Sequence, residues 1–319
     1  MVSEYLEPEV SVIIVNWNTR DLLSDCIQSI YRETSISHEV IVIDNFSSDG
    51  SVEMLRDKFS DIRIIENNEN RGFARANNQG IEIARGKHIL LLNPDTIILE
   101  NAIDRMVLWL SDKPDVGCVG CQVWETDRDI QRTCFADPGP INLAIVTFGL
   151  MRLADRFPVL GRPWYLEWDR CSERDVDVVS GMFMLVSRLV IERVGLLDEK
   201  FFVYAEEADW CRRIRKAGWR CVFAPEARIL HLDGGSKSTA QIKPRMHVQM
   251  QKSHLIYVRK HYGWTGYLLV KTFLIVSATL RLGVFGPLQL IRPDETTWAR
   301  VRLSRATLRY LLMGREPTP

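Results

Sequence analysis

Three carboxylates stand close together in the second half of this 319-residue chain. They are Glu206, Glu207 and Asp209, and helical apolar spacing begins at the same point, over residues 206–217. Acidic side chains are common at a helix N-terminus, so capping explains one of them but not all three. Crowded carboxylates raise one another's pKa, and a raised pKa suits a general base near neutral pH. The cluster therefore predicts an acid–base site.

A second group of polar residues follows the apolar runs of the first hundred residues. Asn16, Asp44, Asn93 and Asp95 each come at or just after the end of such a run. Each alone could be a turn or a helix cap. Ligands of open parallel sheets bind beyond the carboxyl ends of the strands, so the group favours a binding site. Asp95 is the best-placed carboxylate to bind Mg²⁺ or Mn²⁺, and such a cation could neutralise the charge of a nucleotide diphosphate. His231 is a second candidate ligand, although a lone histidine is usually structural.

The elements that would position these residues alternate between strand and helix. Apolar runs predict strands at residues 10–15, 40–43, 62–65 and 89–92, and the run at 10–15 is typical of a parallel strand covered on both faces. Helical spacing follows each run, at residues 22–31, 52–59, 73–84 and 103–110. This alternation predicts an α/β fold with a doubly wound, mostly parallel sheet. Further strands are predicted at residues 116–123, 176–186 and 222–224, and a partly helical insertion bordering a cleft at 125–175.

Composition and missing motifs exclude several functions. Lys+Arg and Asp+Glu are equal at 41 each, so net charge gives no argument for a nucleic-acid partner. Neither G-x-G-x-x-G after the first strand nor G-x-x-x-x-G-K-[ST] occurs, which argues against dinucleotide oxidoreductases and P-loop proteins. The seven cysteines are scattered and the N-terminus lacks an apolar core, so we expect a reducing compartment. Cys118 and Cys121 form a C-x-x-C without a second pair at zinc spacing, so we expect structural thiols.

Residues 264–291 form the most apolar long stretch, and Lys271 and Arg281 interrupt it. Three placements stay open: a helix lying in the membrane interface, a buried core helix, and a membrane span. A central Lys or Arg costs roughly 2.5–3.5 kcal/mol on insertion scales, so we favour the interface. The segment from Arg300 to Arg315, both included, contains five arginines and no acid, which would suit anionic lipid headgroups. A mobile loop is predicted before this stretch, at residues 234–244.

The motifs together resemble family 2 glycosyltransferases with the GT-A fold. In the family's order they are residues 12–18 (VIIVNWN), 42–50 (VIDNFSSDG), 70–74 (NRGFA), 77–80 (NNQG), 91–95 (LLNPD), Gly181, 201–209 (FFVYAEEAD) and His231. The subgroup they most resemble includes bacterial rhamnosyltransferases of cell-surface polysaccharide assembly. The likeness predicts a catalytic domain over residues 1–236, with a nucleotide half to about 124 and an acceptor half at about 176–236. A helical, membrane-associating extension would occupy residues 237–319.

The resemblance implies how a nucleotide would be held. Asp44 would hydrogen-bond a pyrimidine base, with Asn16 beside it and Arg71 near the nucleotide. A pyrimidine base implies a UDP- or dTDP-linked donor, and the subgroup implies that the sugar is rhamnose or a hexose.

The same resemblance implies the metal ligands and the base. Asp95 and His231 would bind Mg²⁺ or Mn²⁺. The metal motif begins with Asn93 where many members have Asp, and we count Asn93 among the nucleotide contacts. Glu207 matches the general base of the family's Glu-Asp pair. Because the pair here is Glu-Glu, Asp209 stays an alternative base.

Helix geometry adds an expectation about the three carboxylates. Neighbours on a helix point about 100° apart, so we expect the side chains of Glu206 and Glu207 to diverge, with Asp209 near neither. One residue should therefore dominate as the base.

Gly181 and Glu206 fall in the acceptor motifs, so the resemblance places them near the acceptor. The chain lacks the Q-x-x-R-W motif of processive synthases. We therefore expect a single transfer with inversion to a saccharide, free or lipid-linked, by a cytoplasmic protein peripheral to the inner face of the cell membrane. The rival is a non-catalytic nucleotide-sugar-binding membrane scaffold, which need not keep the carboxylate cluster. A nucleotidyltransferase would place a Gly-rich basic loop after the first strand, and residues 16–20 (NWNTR) are not such a loop.

Overall fold

A computed structural model describes residues 7–125, 129–232, 243–291 and 294–316. The chain divides into two compact units. The first, here the sheet unit, comprises Met1–Phe135, Trp168–Phe202 and Glu206–Ser238. The second, here the helical unit, comprises Ala136–Glu167, Val203–Ala205 and Thr239–Pro319. The functional boundary predicted at residue 236 stays a prediction.

The sheet unit is built around a nine-stranded sheet. The strands of the chain are β1 (Val10–Asn16), β2 (His38–Asp44), β3 (Arg63–Glu66), β4 (His88–Leu92), β5 (Thr96–Ile98), β6 (Val116–Glu125), β7 (Cys134–Phe135), β8 (Arg174–Asp175), β9 (Val178–Val179), β10 (Phe183–Ser187) and β11 (Arg220–His231). Their order in the large sheet is β3-β2-β1-β4-β10-β6-β11-β5, and β8 pairs with β11. β7 and β9 form a separate two-stranded sheet.

The direction of the strands brings several strand ends to one edge. β1 to β4 are parallel to one another, and β10 runs antiparallel between β4 and β6. β6 and β11 therefore run in the same direction as β1 to β4. The carboxyl ends of β1, β2, β4 and β11 and the amino end of β10 consequently lie at the same edge of the sheet. The predicted mostly parallel α/β sheet is confirmed.

Helices cover the sheet and make up most of the helical unit. They are α1 (Arg20–Glu33), α2 (Ser51–Lys58), α3 (Phe73–Ile83), α4 (Ala102–Ser111), α5 (Pro140–Thr147), α6 (Arg188–Val194), α7 (Glu206–Lys216), α8 (Lys243–Ile291) and α9 (Glu295–Met313). α1 buries Leu23, Ile27 and Ile30 at helical spacing, and each fully buried side chain contributes about 1.5–3 kcal/mol. A Cβ at Gly80 would stand 2.6 Å from Ile13, so the glycine lets α3 lie directly on β1.

Two predicted strands differ in extent from the observed ones. The strand predicted at residues 176–186 is interrupted, because Ser180 donates its N–H to Thr133 while Met182 accepts the N–H of Asn93. The chain thus leaves the small sheet and joins the large one between β9 and β10. The strand predicted to stop at Ala224 continues through Pro225 as part of β11. A register shift between Phe223 and Arg228 accommodates the proline, which has no N–H to donate.

The helical unit joins the insertion predicted at residues 125–175 to the C-terminal helices. The insertion is partly helical as predicted, with α5 followed by two short 3-10 helices, Leu150–Leu153 and Pro158–Trp164. It packs on α8 through the ring of Phe148, 5.8 Å from that of Phe273, and through the Ser277 hydroxyl, which donates to the carbonyl of Thr147 at 3.0 Å. α8 is kinked at Gly263, whose φ of 69° is not helical.

The C-terminal helices contain the apolar stretch found in the sequence. By length and composition, the helix over residues 244–291 could cross a membrane: its most apolar 18-residue window has a mean hydropathy of 1.8 and is only 17% buried. Among the described residues no other helix meets this condition. Asp294 caps α9 by accepting the N–H of Thr297 at 2.8 Å. The loop predicted at residues 234–244 lies outside the described residues up to 242, and 243 and 244 begin α8.

Candidate functional site

Asn16 and Asp44 meet at the shared edge of the sheet because they end two neighbouring strands in register. The Asn16 amide donates to Asp44 Oδ1 at 2.8 Å and to the Ser47 hydroxyl at 3.0 Å. The backbone N–H of Ser47 donates to Asp44 Oδ2 at 2.9 Å. Asp44 is nearly buried, with 3% of its surface exposed. Each carboxylate oxygen can accept a second hydrogen bond. Asp44 is therefore fixed in one orientation and can still accept a hydrogen bond from a ligand.

Arg71 lies on a loop that a buried asparagine fixes in place. Asn45 Oδ1 accepts the N–H of Arg71 at 3.0 Å, and its amide donates to Asn70 at 3.0 Å. Gly72 then adopts a φ of +81°, and a Cβ there would stand 2.3 Å from the carbonyl oxygen of Phe202. That carbonyl accepts the N–H of Phe73 at 2.6 Å. The glycine therefore ties the Arg71 loop to the segment that leads into α7.

Asp95 and His231 come together because β5 and β11 pair. Thr96, next to Asp95, is the register partner of His231. Asp95 Oδ2 lies 3.1 Å from His231 Nε2, and both side chains are buried. Asn93, two residues earlier, donates its N–H to Met182 and accepts the Thr96 hydroxyl at its carbonyl. The two residues predicted as metal ligands are thus adjacent.

The chemistry of this pair fits a divalent cation. Asp95 Oδ1 and His231 Nδ1 are buried and have no hydrogen-bond partner among the described residues. A buried polar atom without a partner costs about 1–3 kcal/mol, which a ligand or ion at this position would offset. Within the described part of the chain no group of three His, Cys, Asp or Glu side chains could hold a metal. The remaining ligands would therefore be water and phosphate oxygens, as Mg²⁺ and Mn²⁺ accept.

Glu206 and Glu207 open α7 and form a coupled pair. Each carboxyl group affects the pKa of the other, which places the two side chains close together, so the prediction that they diverge is wrong. Tyr204 and Ala205, just before the helix, have φ of 70° and 66°, so the chain turns sharply into its first residue. Burial, and next the charge of Glu207, raises the pKa of Glu206 well above 4.5. Burial also raises the pKa of Glu207, to about 7.

The pair therefore holds one proton near neutral pH. Glu207, with a pKa of about 7, is the candidate to ionise, while the pKa of Glu206 is raised well above 4.5. The Oε2 atoms of both residues have no hydrogen-bond partner within the described ranges. Once ionised, Glu207 can accept a proton from another molecule.

Asp209 has a different environment from its two neighbours. It is fully buried, and its Oδ2 accepts from Arg213 Nε at 2.9 Å in an ion pair one helical turn along α7. Arg213 also donates to the carbonyl oxygens of Val194 and Leu196 at 2.6 and 2.7 Å. The pair thereby fastens α7 to the turn after α6. This engagement argues for a structural carboxylate.

Gly181 lies at the amino end of β10, at the same edge as the strand ends above. It is buried, and a Cβ there would stand 3.2 Å from two ring atoms of Phe73, the first residue of α3. A larger residue would press on this ring. The predicted acceptor residue thus stands where the β9–β10 turn meets the start of α3.

Sequence reasoning missed three residues that hold the site together. Ser47 accepts from Asn16 and from the N–H of Asn18, Asn45 fixes the Arg71 loop, and Arg213 neutralises Asp209. Ser47 and Asn45 lie inside the motif at residues 42–50, so the sequence indicates their neighbourhood but not their individual roles. The Arg213 role had only the i, i+4 spacing to indicate it.

The cysteines are consistent with the expected structural role. All seven are free thiols, and six of them, including Cys118 and Cys121, are buried. Burial raises the pKa of Cys26 to about 12, which leaves its thiol unreactive at neutral pH.

Comparison with known proteins identifies the family. The sequence profile of Glycosyl transferase family 2 matches residues 11–193. An N-acetylglucosaminyl-diphospho-decaprenol L-rhamnosyltransferase of Mycobacterium tuberculosis is 25% identical, over 85% of this chain and 94% of that protein. A low-salt glycan biosynthesis hexosyltransferase of Haloferax volcanii is 27% identical, over 67% of this chain and 64% of that protein.

The fold has solved counterparts. A mannosyltransferase of Pyrobaculum calidifontis, solved with GDP-mannose and Mn²⁺, superposes with a TM-score of 0.57 at 19% identity, over 98% of this chain and 89% of that one. At this level of identity the likeness shows the GT-A fold but does not indicate the substrate. With the profile covering more than half of the sequence, the chain belongs to glycosyl transferase family 2 and is a glycosyltransferase of the GT-A fold.

Proposed function

We propose that this glycosyltransferase transfers a single sugar, with inversion, from a nucleotide diphosphate to a saccharide hydroxyl, with Glu207 as general base. The observation that carries the proposal is the Glu206–Glu207 pair at the start of α7. It supplies a carboxylate whose pKa of about 7 matches the pH at which a base must accept a proton. Asp209, paired with Arg213, is left to stabilise the helix.

The acceptor hydroxyl is a poor nucleophile until a base removes its proton. Glu207 would accept that proton as the oxygen attacks the anomeric carbon and the bond to the diphosphate breaks. Attack from the face opposite the leaving group inverts the configuration. Positioned base assistance contributes about 10²–10⁴ in rate. Glu206, whose carboxyl group lies close to that of Glu207, would face the acceptor, with Gly181 at the neighbouring turn.

The nucleotide would bind at the ends of β1 and β2. Asp44 would accept the ring N–H of uracil or thymine, so the donor would be UDP- or dTDP-linked. The Asn16 amide and the Ser47 N–H hold both Asp44 oxygens in one orientation before the base arrives. Arg71 would lie near the phosphates, on the loop that Asn45 fixes, and Asn93 on the loop after β4.

Asp95 and His231 would hold Mg²⁺ or Mn²⁺. A bound divalent cation neutralises diphosphate charge and stabilises the leaving group. The two side chains would keep their present adjacency, and the unpartnered Oδ1 of Asp95 would gain a ligand. The Pyrobaculum mannosyltransferase of the same fold was solved with Mn²⁺, which supports this assignment.

The acceptor would be a saccharide, lipid-linked and part of cell-surface polysaccharide synthesis. The support is the Mycobacterium tuberculosis relative, whose name specifies rhamnose transfer to a diphospho-decaprenol-linked sugar. Rhamnose or a hexose would be the sugar transferred. The exposed apolar helix over residues 244–291 supports attachment to a membrane, and we place the protein on the cytoplasmic face of the cell membrane.

The experiment is a screen of nucleotide sugars for transfer and for slow hydrolysis, with Mg²⁺, with Mn²⁺ and with excess EDTA. We expect turnover with a UDP- or dTDP-linked sugar in the presence of either metal and none in EDTA. Full activity in EDTA would contradict the metal assignment. An absence of turnover together with tight nucleotide-sugar binding would favour the non-catalytic scaffold.

A further inference from the structure

The helical unit contains a cavity in which three arginines from three elements converge. Arg152 comes from the first 3-10 helix, Arg281 from α8 and Arg300 from α9. They line a space of about 340 Å³ together with apolar side chains that include Phe148 and Phe285. No carboxylate lines this cavity, and none of the three arginines forms an ion pair with any described residue.

Two of these guanidinium groups are already held in position. Arg281 donates from Nη2 to the carbonyl of Thr147 at 2.9 Å, which leaves its other donors available. The Arg300 guanidinium lies over the ring of Phe285, 4.7 Å from its centroid. Arginine presents forked donors that match phosphate oxygens, so an oriented group loses less entropy on binding. The cavity therefore has the charge and donor set of a phosphate site.

The surroundings of each arginine indicate what carries the phosphate. Leu150 and Leu153 lie within two residues of Arg152, and Leu280 and Val284 lie within one helical turn of Arg281. All four are exposed, by between 38% and 61%. Phosphate donors with exposed apolar side chains close to them along the same helices are complementary to a lipid headgroup with its acyl chains beside it. A soluble phosphate would gain nothing from these apolar side chains.

We infer that the cavity of Arg152, Arg281 and Arg300 binds the headgroup phosphate of an anionic membrane phospholipid and seats the helical unit in the interface. The inference rests on the proposed membrane attachment and names the site responsible for it. It assigns no role to the other arginines of α9. Arg302, Arg305 and Arg309 lie about 140–200° around the helix from Arg300, on its opposite face.

This arrangement offers a matched control on the same helix. The cavity variant is Arg152→Gln, Arg281→Gln and Arg300→Gln. The control variant is Arg302→Gln, Arg305→Gln and Arg309→Gln, which removes the same charge from exposed positions. Each arginine at an anionic membrane surface contributes about fivefold in affinity, so the cavity variant should bind about 100-fold more weakly. The control, facing away, should lose less than about fivefold.

The test is full-length protein titrated with vesicles of phosphatidylglycerol in phosphatidylcholine, and with phosphatidylcholine alone, followed by flotation. We expect tight binding to the anionic vesicles only, selectively lost in the cavity variant. Equal losses in the two variants would overturn the site in favour of diffuse charge attraction. Inorganic phosphate that binds the wild type as tightly as the anionic vesicles do, with the same loss in the cavity variant, would overturn the lipid as the source.

Two further measurements separate this inference from the proposed catalysis. Replacing the three arginines by lysine keeps the charge but removes the fork, and binding should fall between wild type and the glutamine variant. Nucleotide diphosphate binding with Mn²⁺, measured by calorimetry, should be the same in all variants, because no arginine of the cavity lies in the sheet unit. If the wild type does not bind a nucleotide diphosphate, the catalytic proposal is contradicted. The vesicle measurement would still test the lipid site on its own.

Discussion

Replacing Glu207 by Gln should stabilise the protein at high pH while removing the proposed base. The pKa of Glu207 rises from 4.5 to about 7 through burial. Because the folded state binds this proton more tightly than the unfolded chain, the associated stability is present below about pH 4.5 and is lost as pH rises to about 7. The rise corresponds to about 3 kcal/mol at 1.36 kcal/mol per pKa unit, with about 2.5 kcal/mol of it between pH 5 and pH 8.

The assay is urea denaturation of wild type and Glu207→Gln at pH 5 and pH 8, without metal or nucleotide. The glutamine variant avoids the buried charge, so its stability relative to wild type should increase by about 2.5 kcal/mol between the two pH values. Glu192→Gln is the matched control, because Glu192 is exposed on α6 and should show no such trend. A difference between wild type and Glu207→Gln that does not change with pH would refute the burial argument.

Three further substitutions test the other assignments. Asp95→Asn removes the carboxylate charge from the pair with His231. We expect calorimetry to show that this variant binds a nucleotide diphosphate no more tightly with Mn²⁺ than without it. If Mn²⁺ still increases the affinity, Asp95 is not a metal ligand. Asp44→Asn replaces an acceptor oxygen beside the Asn16 amide with a donor, so it should weaken UDP or dTDP binding by about 1–3 kcal/mol. Equal affinity of variant and wild type for these nucleotides would reject the contact between Asp44 and the base. Asp209→Asn breaks the buried ion pair with Arg213, so it should lower the free energy of unfolding by about 3–5 kcal/mol. The variant molecules that stay folded should keep the wild-type turnover number. A variant that is stable but inactive would identify Asp209 as the base.

Much of the sheet unit could be predicted because its signals are local. The strands over residues 40–43 and 89–92 are buried on both faces, so each appears as an unbroken apolar run, and only Ser11 interrupts the run over residues 10–15. The edge that gathers Asn16, Asp44 and Asp95 follows from the parallel order of those strands. Polar residues at strand ends could therefore be grouped from the sequence alone.

What escaped prediction depends on contacts that are distant in sequence or on backbone geometry. An ideal helical wheel contains neither the closeness of the Glu206 and Glu207 carboxyl groups nor the positive φ of Tyr204 and Ala205 just before them. β11 passes through Pro225 because the pairing with β6 shifts register there. The arginine cavity brings together Arg152 and Arg300, which are far apart in sequence and belong to elements that meet only in the folded helical unit.

The most direct test of the account is the turnover number of Glu207→Gln at saturating donor and acceptor, relative to wild type. Glutamine keeps the size and hydrogen bonding of the side chain but cannot take the acceptor proton. We predict a loss of about 10²–10⁴ in turnover. A Glu207→Gln enzyme that turns over at the wild-type rate would contradict the central claim that this carboxylate is the base.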